Sequence, residues 1–223
     1  MGNSIRFDED APRNIFSQRR GRVVLFATGI NLLATIVVIV LAAHSGRESI
    51  APSPANSEFS AFGRGADSIA LTDSDGHAVR WGALAGVPRA VFFGFTNCPE
   101  VCPTTMSELA ADLKALGPRA NSIRVDFVSL DPERDTPDVL RDFMSSFGAA
   151  FHGYTGSPDQ LKKLAKAYHV FYERVATPGG GYTIDHSAIV YLLNAQGSVA
   201  GILSYGLPKE RAIAQLSKIA RDE

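Results

Sequence analysis

Behind a charged N-terminal segment, the apolar residues divide the chain into three stretches. Val23 to Ala43 is uncharged and almost wholly apolar, interrupted only by Thr28, Gly29, Asn31 and Thr35. These residues, rising about 1.5 Å each, cover roughly 30 Å, the thickness of a bilayer core, so the stretch predicts a transmembrane helix. Ser45 to Asp67 carries Pro, Gly, Ser and Ala without apolar periodicity and reads as a tether. From Ser68 onward short apolar runs alternate with segments of helical period, the pattern of a folded domain.

Within that domain, Ile69 to Thr72 and His77 to Arg80 flank Asp73-Ser-Asp-Gly76, whose Asp-Gly step signals a hairpin. Ala90 to Phe95 and Ile123 to Leu130 are continuous apolar runs, expected of central strands buried on both faces. Between them a helix is expected over Thr104 to Leu116, with Met106, Leu109, Leu113 and Leu116 on one face and Gly117-Pro118 as its stop. Pro103 suits its first position, where the missing N–H would have no partner anyway. Further helices are predicted from Pro137 to Phe147 and from Pro158 to Tyr168. Ser187 to Leu193 and Ser198 to Leu203 flank Asn194-Ala-Gln-Gly197 as a second hairpin. Pro208 opens a closing helix with Ile213, Leu216 and Ile219 on its apolar side. This order predicts an α/β fold, a mixed sheet flanked by helices on both faces.

Charge refines the picture in one place. The 223 residues carry 22 Lys+Arg against 23 Asp+Glu, a net charge of -1, which gives no basis for nucleic-acid binding. The arginines, however, are unevenly placed. Arg6, Arg13, Arg19, Arg20 and Arg22 precede the apolar stretch, and only Arg47 and Arg64 follow it before the domain. That bias predicts a single-pass protein of the cytoplasmic membrane with a cytoplasmic N-terminus and a periplasmic domain. The expected division is therefore a cytoplasmic segment 1–22, a transmembrane helix 23–43, a tether 44–67 and a soluble domain 68–223. A cleaved signal peptide ending near Leu41-Ala-Ala43 is the alternative, although the apolar stretch is longer than such peptides usually carry. Either way the domain faces an oxidising compartment, where paired thiols must be kept reduced or metallated.

The chain has only two cysteines, and both lie in Gly94-Phe-Thr-Asn-Cys-Pro-Glu-Val-Cys-Pro103, at the first strand-to-helix turn. That placement makes a thioredoxin-like fold the candidate. A helix N-terminus favours thiolates, which serve equally as nucleophiles and as ligands. Cys98 and Cys102 are one residue further apart than the usual redox pair, and an i, i+4 spacing puts both sulfurs on one side of a helix. Metal binding and redox exchange both remain open on this spacing. Of the histidines, His186 stands out, carried by Gly179-Gly-Gly-Tyr-Thr-Ile-Asp-His186 to the expected start of a strand. A thioredoxin-type oxidoreductase would present a proline in this region, and none occurs between Pro178 and Pro208. Two thiolates and an imidazole suit Cu(I), with room for an oxygen on Cu(II); zinc would accept the same donors. Asp131, at the end of the second central strand, lies on the sheet edge where ligands collect. It could give an oxygen to Cu(II) or orient the site. Alternatively, Asp131 and Asp135 cap the turn and the helix begun by Thr136-Pro137.

Three segments, Thr96-Asn-Cys-Pro-Glu-Val-Cys-Pro-Thr-Thr105, Ser129-Leu-Asp-Pro-Glu-Arg-Asp-Thr-Pro137 and Tyr182-Thr-Ile-Asp-His-Ser187, resemble the Sco/SenC family in order and spacing. These are copper-binding, thioredoxin-fold proteins that help to assemble the copper centre of cytochrome c oxidase. The resemblance runs from about Ile69 to the C-terminus. It implies Cys98, Cys102 and His186 as ligands of one copper, Cu(I) or Cu(II), per domain. It also implies a membrane-anchored copper metallochaperone rather than an enzyme, with a copper-accepting subunit of the oxidase as partner. Other copper chaperones and thioredoxin-like reductants are further expected partners. The competing expectation is a thiol–disulfide reductase that keeps an acceptor's cysteines ready for metal.

Overall fold

The computed structural model describes residues 59–220. The apolar stretch Val23 to Ala43 and most of the tether lie outside them, and no helix among the described residues is long and apolar enough to cross a membrane.

Two strands, β1 (Ala70–Asp73) and β2 (Ala78–Arg80), form the expected antiparallel hairpin. After a 3-10 turn over Trp81–Leu84 come β3 (Arg89–Gly94), α1 (Val101–Leu116), β4 (Arg124–Ser129), α2 (Pro137–Ser145) and β5 (Phe151–Thr155). Then follow α3 (Pro158–Ala167), a separate hairpin of β6 (Tyr172–Ala176) and β7 (Tyr182–His186), the hairpin of β8 (Ile189–Leu193) and β9 (Val199–Ser204), and α4 (Lys209–Ile219). The main sheet runs β2-β1-β5-β4-β3-β8-β9, with β3, β4 and β5 parallel and the outer pairs antiparallel.

Period-two alternation sends neighbouring residues of β3 to opposite faces. Phe92 meets Phe127, which meets Phe143 of α2, on one face; Phe93 meets Tyr168, at the end of α3, and Tyr191 on the other. Helices therefore cover both faces, and every residue of β3 is buried, as the apolar run from Ala90 requires; Arg89 at its start is buried against Asp126.

Four local differences from expectation have physical causes. The first helix begins at Val101, so Pro103 is its third residue; a proline is still tolerated in a first turn, whose N–H groups have no helical acceptor. Phe151-His-Gly-Tyr-Thr155 is a strand that lacks an apolar pattern, held by parallel pairing to β4. The hairpin of β6 and β7 is largely exposed, so burial imposed no alternation on its sequence. Finally, chain packing begins before Ser68. Phe62 contacts His169 and Tyr191, Gly63 donates its N–H to Ala167 at 2.8 Å, and Ala66 is buried. Residues 59–67 are thus packed on the domain rather than held off it.

Candidate metal centre

The C-terminal ends of β3 and β4 set the position of the two thiols. β3 ends at Gly94, and the chain turns through Phe95 to Asn97 before entering α1. A carboxylate beneath this turn holds it: Asp135, fully buried, accepts from the Thr96 N–H at 3.0 Å, the Thr96 hydroxyl at 2.6 Å and the Ser129 hydroxyl at 2.5 Å. Burial pushes the Asp135 carboxyl upward, and these three donors oppose that shift. Asp135 therefore ties the cysteine turn to the end of β4. The helix cap is instead Thr136, whose hydroxyl accepts from the Val139 N–H.

Cys102 lies in the first turn of α1 with no exposed surface, whereas Cys98 is half-buried, and both are free thiols. The Cys102 N–H points at Cys98 Sγ at 3.4 Å. Gly94 makes room for Cys102: a Cβ at position 94 would lie 2.8 Å from Cys102 Sγ and 2.8 Å from the Phe92 ring. The helix N-terminus was expected to favour thiolates. At Cys102 burial prevails and pushes the thiol strongly up, with a backbone hydrogen bond from Phe95 as the main opposing influence. Burial at Cys102 thus favours the neutral thiol over the thiolate.

His186 arrives at the end of β7 rather than at the start of a strand. Its Nε2 stands 3.5 Å from Cys102 Sγ, and its Nδ1 is 3.1 Å from the Ser187 carbonyl. A carbonyl only accepts, so Nδ1 carries the proton and Nε2 presents its lone pair to the sulfur. The rings of Phe92 and Phe95 meet the imidazole edge-on, each at 5.8 Å. Burial lowers the imidazole's proton affinity, opposed by the Ser187 bond and by Asp185. The donor atoms of Cys98, Cys102 and His186 all lie within 4.8 Å of one another, so the fold brings a histidine 84 positions beyond Cys102 to the cysteine pair. Among the described residues one other such group occurs, Asp73, Asp75 and His77, on the β1–β2 turn. There Asp73 already accepts the N–H groups of Asp75 and His77, an ordinary turn arrangement.

Asp131 does not join the three converging donors. Fully buried, it takes an ion pair from Arg134 and a 2.8 Å hydrogen bond from the Tyr182 hydroxyl. The Arg134 guanidinium also donates to the Tyr182 carbonyl at 3.0 Å and lies over the Tyr182 ring at 3.9 Å. Arg174 covers the same ring, also at 3.9 Å, and pairs with Glu133 at 2.7 Å. These contacts clamp the start of β7, and with it His186, to the turn after β4. Sequence reasoning overlooked this clamp and the role of Asp135. The only signal for either was the Asp131-to-Asp135 segment itself.

Comparison with known proteins places these residues in context. A sequence model described as SCO1/SenC matches residues 64–221. An SCO2-like protein of Rickettsia felis is 35% identical over 129 residues, which cover 57% of this chain and 63% of that protein. Yeast mitochondrial protein SCO2 (Saccharomyces cerevisiae) is 33% identical over 149 residues, 66% of this chain and 50% of that protein. The matched region therefore spans less than two thirds of either relative. The structure of Bradyrhizobium japonicum ScoI with copper bound superposes with a TM-score of 0.62 at 38% identity, covering 68% of this chain and 96% of that one. Yeast Sco1 with copper bound gives a TM-score of 0.61 at 29% identity, covering 67% and 84% of the two chains.

Proposed function

The chain belongs to the SCO1/SenC family, and from that premise we propose that it is a membrane-anchored copper metallochaperone. In this reading Val23 to Ala43 holds it in the cytoplasmic membrane, residues 44–58 lead to the domain, and the domain works on the periplasmic side. Its cargo is one copper ion, held by Cys98, Cys102 and His186 and passed to the copper-accepting subunit of cytochrome c oxidase as that enzyme is assembled. The observation that carries the reading is the convergence of two sulfurs and a bare imidazole nitrogen within 4.8 Å. Two related structures that hold copper support the choice of metal.

The donor set fits this ion. Thiolates and imidazole are the ligands that soft Cu(I) and thiophilic Cu(II) select. Deprotonation of both thiols gives a site of zero net charge around Cu(II) and of -1 around Cu(I). Binding therefore releases protons in exchange for a cation, which relieves the cost of ionising buried Cys102. Asp131 orients the centre through Tyr182 and Arg134 rather than by ligation. Delivery is ligand exchange, in which an acceptor's donors replace these three in turn.

Copper loading of the full chain tests the reading. The Cu(II) form should show thiolate-to-copper charge-transfer absorption at one copper per chain, and His186→Ala should shift or abolish it. Absence of the band, or an unchanged band in His186→Ala, would overturn the assignment.

A second reading, thiol–disulfide exchange with an acceptor's cysteines, draws on the pairing of half-buried Cys98 with buried Cys102. Cys98 would attack, and Cys102 would close the intramolecular disulfide, giving two electrons and two protons to the acceptor's disulfide. That activity would survive His186→Ala and disappear in Cys98→Ser.

A further inference from the structure

The face of α1 that follows Cys102 runs into a groove of about 220 Å³, closed on the other side by α4 and the β8–β9 pair. The groove begins at Thr105, one turn beyond Cys102, and reaches Ala188, two residues past His186. Its lining is mostly apolar, with Leu109, Val190, Leu203 and Ala212 among the contributors. Tyr205, 47% exposed, stands beside Ala188, to whose carbonyl it donates its N–H at 3.2 Å.

One residue in this wall does not belong in an apolar surface. Asp112 is 6% exposed, and among the described residues its carboxylate makes no hydrogen bond and no ion pair. Its charged neighbours are Lys209 across the groove, the strongest charge influence on it though not within ion-pair distance, and the carboxylates of Glu108 and Glu210, so this end of the groove carries three carboxylates to one ammonium. The Asp112 carboxylate has no donor among the described residues and opens only onto the groove's solvent, and a cation with an apolar stem is the complement that would suit both it and the apolar lining.

We propose that this groove receives a lysine or arginine side chain of the partner protein, its aliphatic stem on the apolar lining and its cationic head on Asp112. The assignment to a partner rests on the transfer function proposed above. Docking here would bring the partner's surface against the segment that joins His186 to β8, immediately beside the metal centre. A charge-assisted hydrogen bond on Asp112 would fix the orientation of the encounter.

The test uses the full chain in detergent and Nα-acetyl-lysine amide as the probe, with the neutral Nα-acetyl-norleucine amide as its isostere. Saturation-transfer NMR should show contact with the lysine methylenes. Binding should weaken about tenfold in Asp112→Asn, the loss expected for one charge-assisted hydrogen bond. Glu108→Lys gives a second variant at an exposed position: its ammonium lies one turn from Asp112, occupies that carboxylate and should also block the probe. No binding, equal binding to Asp112→Asn, or equal binding of the norleucine analogue would overturn the groove. In a second arm, copper transfer to the recipient's soluble copper-accepting domain should slow about tenfold in Asp112→Asn, with its copper stoichiometry and absorption unchanged. An unaltered transfer rate would overturn the partner assignment. Loss of the copper absorption in the wild-type chain would instead strike the metallochaperone reading, so the two failures are distinguishable.

Discussion

Gly94 matters for what it lacks. A methyl there would press on Cys102 Sγ, the Phe92 ring and, at 3.1 Å, the Phe127 ring, none of which can retreat from a filled core. Gly94→Ala should therefore cost about 1–3 kcal/mol of stability, in the range of overpacked cores, and weaken copper binding because the sulfur must shift. Urea unfolding and a copper titration read the two effects separately, and a variant normal in both would contradict this account. A second residue with a measurable signature is His152 on β5, where burial holds the imidazole below its ordinary range, opposed by the Asp126 carboxylate. The unfolded chain takes up this proton near pH ~6.5 and the folded chain only at lower pH. Stability is therefore complete above that point and falls as pH drops through the folded value. His152→Gln should flatten the decline between pH 7 and pH 5. His186 is shifted in the same direction for the same reason, so the slope should shrink without vanishing. An unchanged slope would exclude His152 as its source.

Among the elements, the β6–β7 hairpin brings one of the three converging donors on a largely exposed surface. Tyr182, stacked between Arg134 and Arg174, is what joins it to the turn after β4. Tyr182→Ala should lose about 1–2 kcal/mol, the value of two partly exposed cation–π contacts and a hydrogen bond. It should also broaden or shift the copper absorption, as His186 loses its fixed approach. Tyr182→Phe keeps the stack and should show the smaller effect on both. Equal effects of the two variants would mean that the hydroxyl, not the stack, positions β7. This hairpin also marks where sequence reading stopped. The strand–thiol–helix unit was legible because burial wrote a continuous apolar run at Ala90 to Phe95 and a helical period after it. Tyr172 to Ala176 faces solvent at four of five positions, so no such pattern was imposed. His186 was still legible as a candidate, because glycines, a lone histidine and the missing proline are chemical signals that do not depend on burial. Asp131 and Asp135 were visible as residues, but their separate partners, Tyr182 and Thr96, are 51 and 39 positions away and come together only in the fold.

At the scale of the whole molecule, one buried charge braces the end of the sheet opposite the metal centre. Asp126, fully buried in β4, pairs with Arg89 of β3 at 3.1 Å and with Arg124 at 2.8 Å, and the Arg89 guanidinium lies 4.5 Å over Trp81. Asp126→Ala would leave Arg89, only 2% exposed at its side chain, without a counter-ion. The expected cost is about 3–5 kcal/mol, enough to lower the thermal midpoint markedly, while residual folded protein should still load copper normally. A small change in melting temperature would show that the arginines find other partners. The unequal exposure of the two sulfurs bears on how the protein would trade its cargo. Cys102 is walled in by Gly94, Phe92 and α1, and Cys98 meets solvent. If the protein is the copper carrier proposed above, the ion would enter and leave on the side where Cys98 and His186 are half-buried. An acceptor would then meet Cys98 and His186 first, and Cys102 would be the last ligand to let go, so the ion would retrace its route of entry.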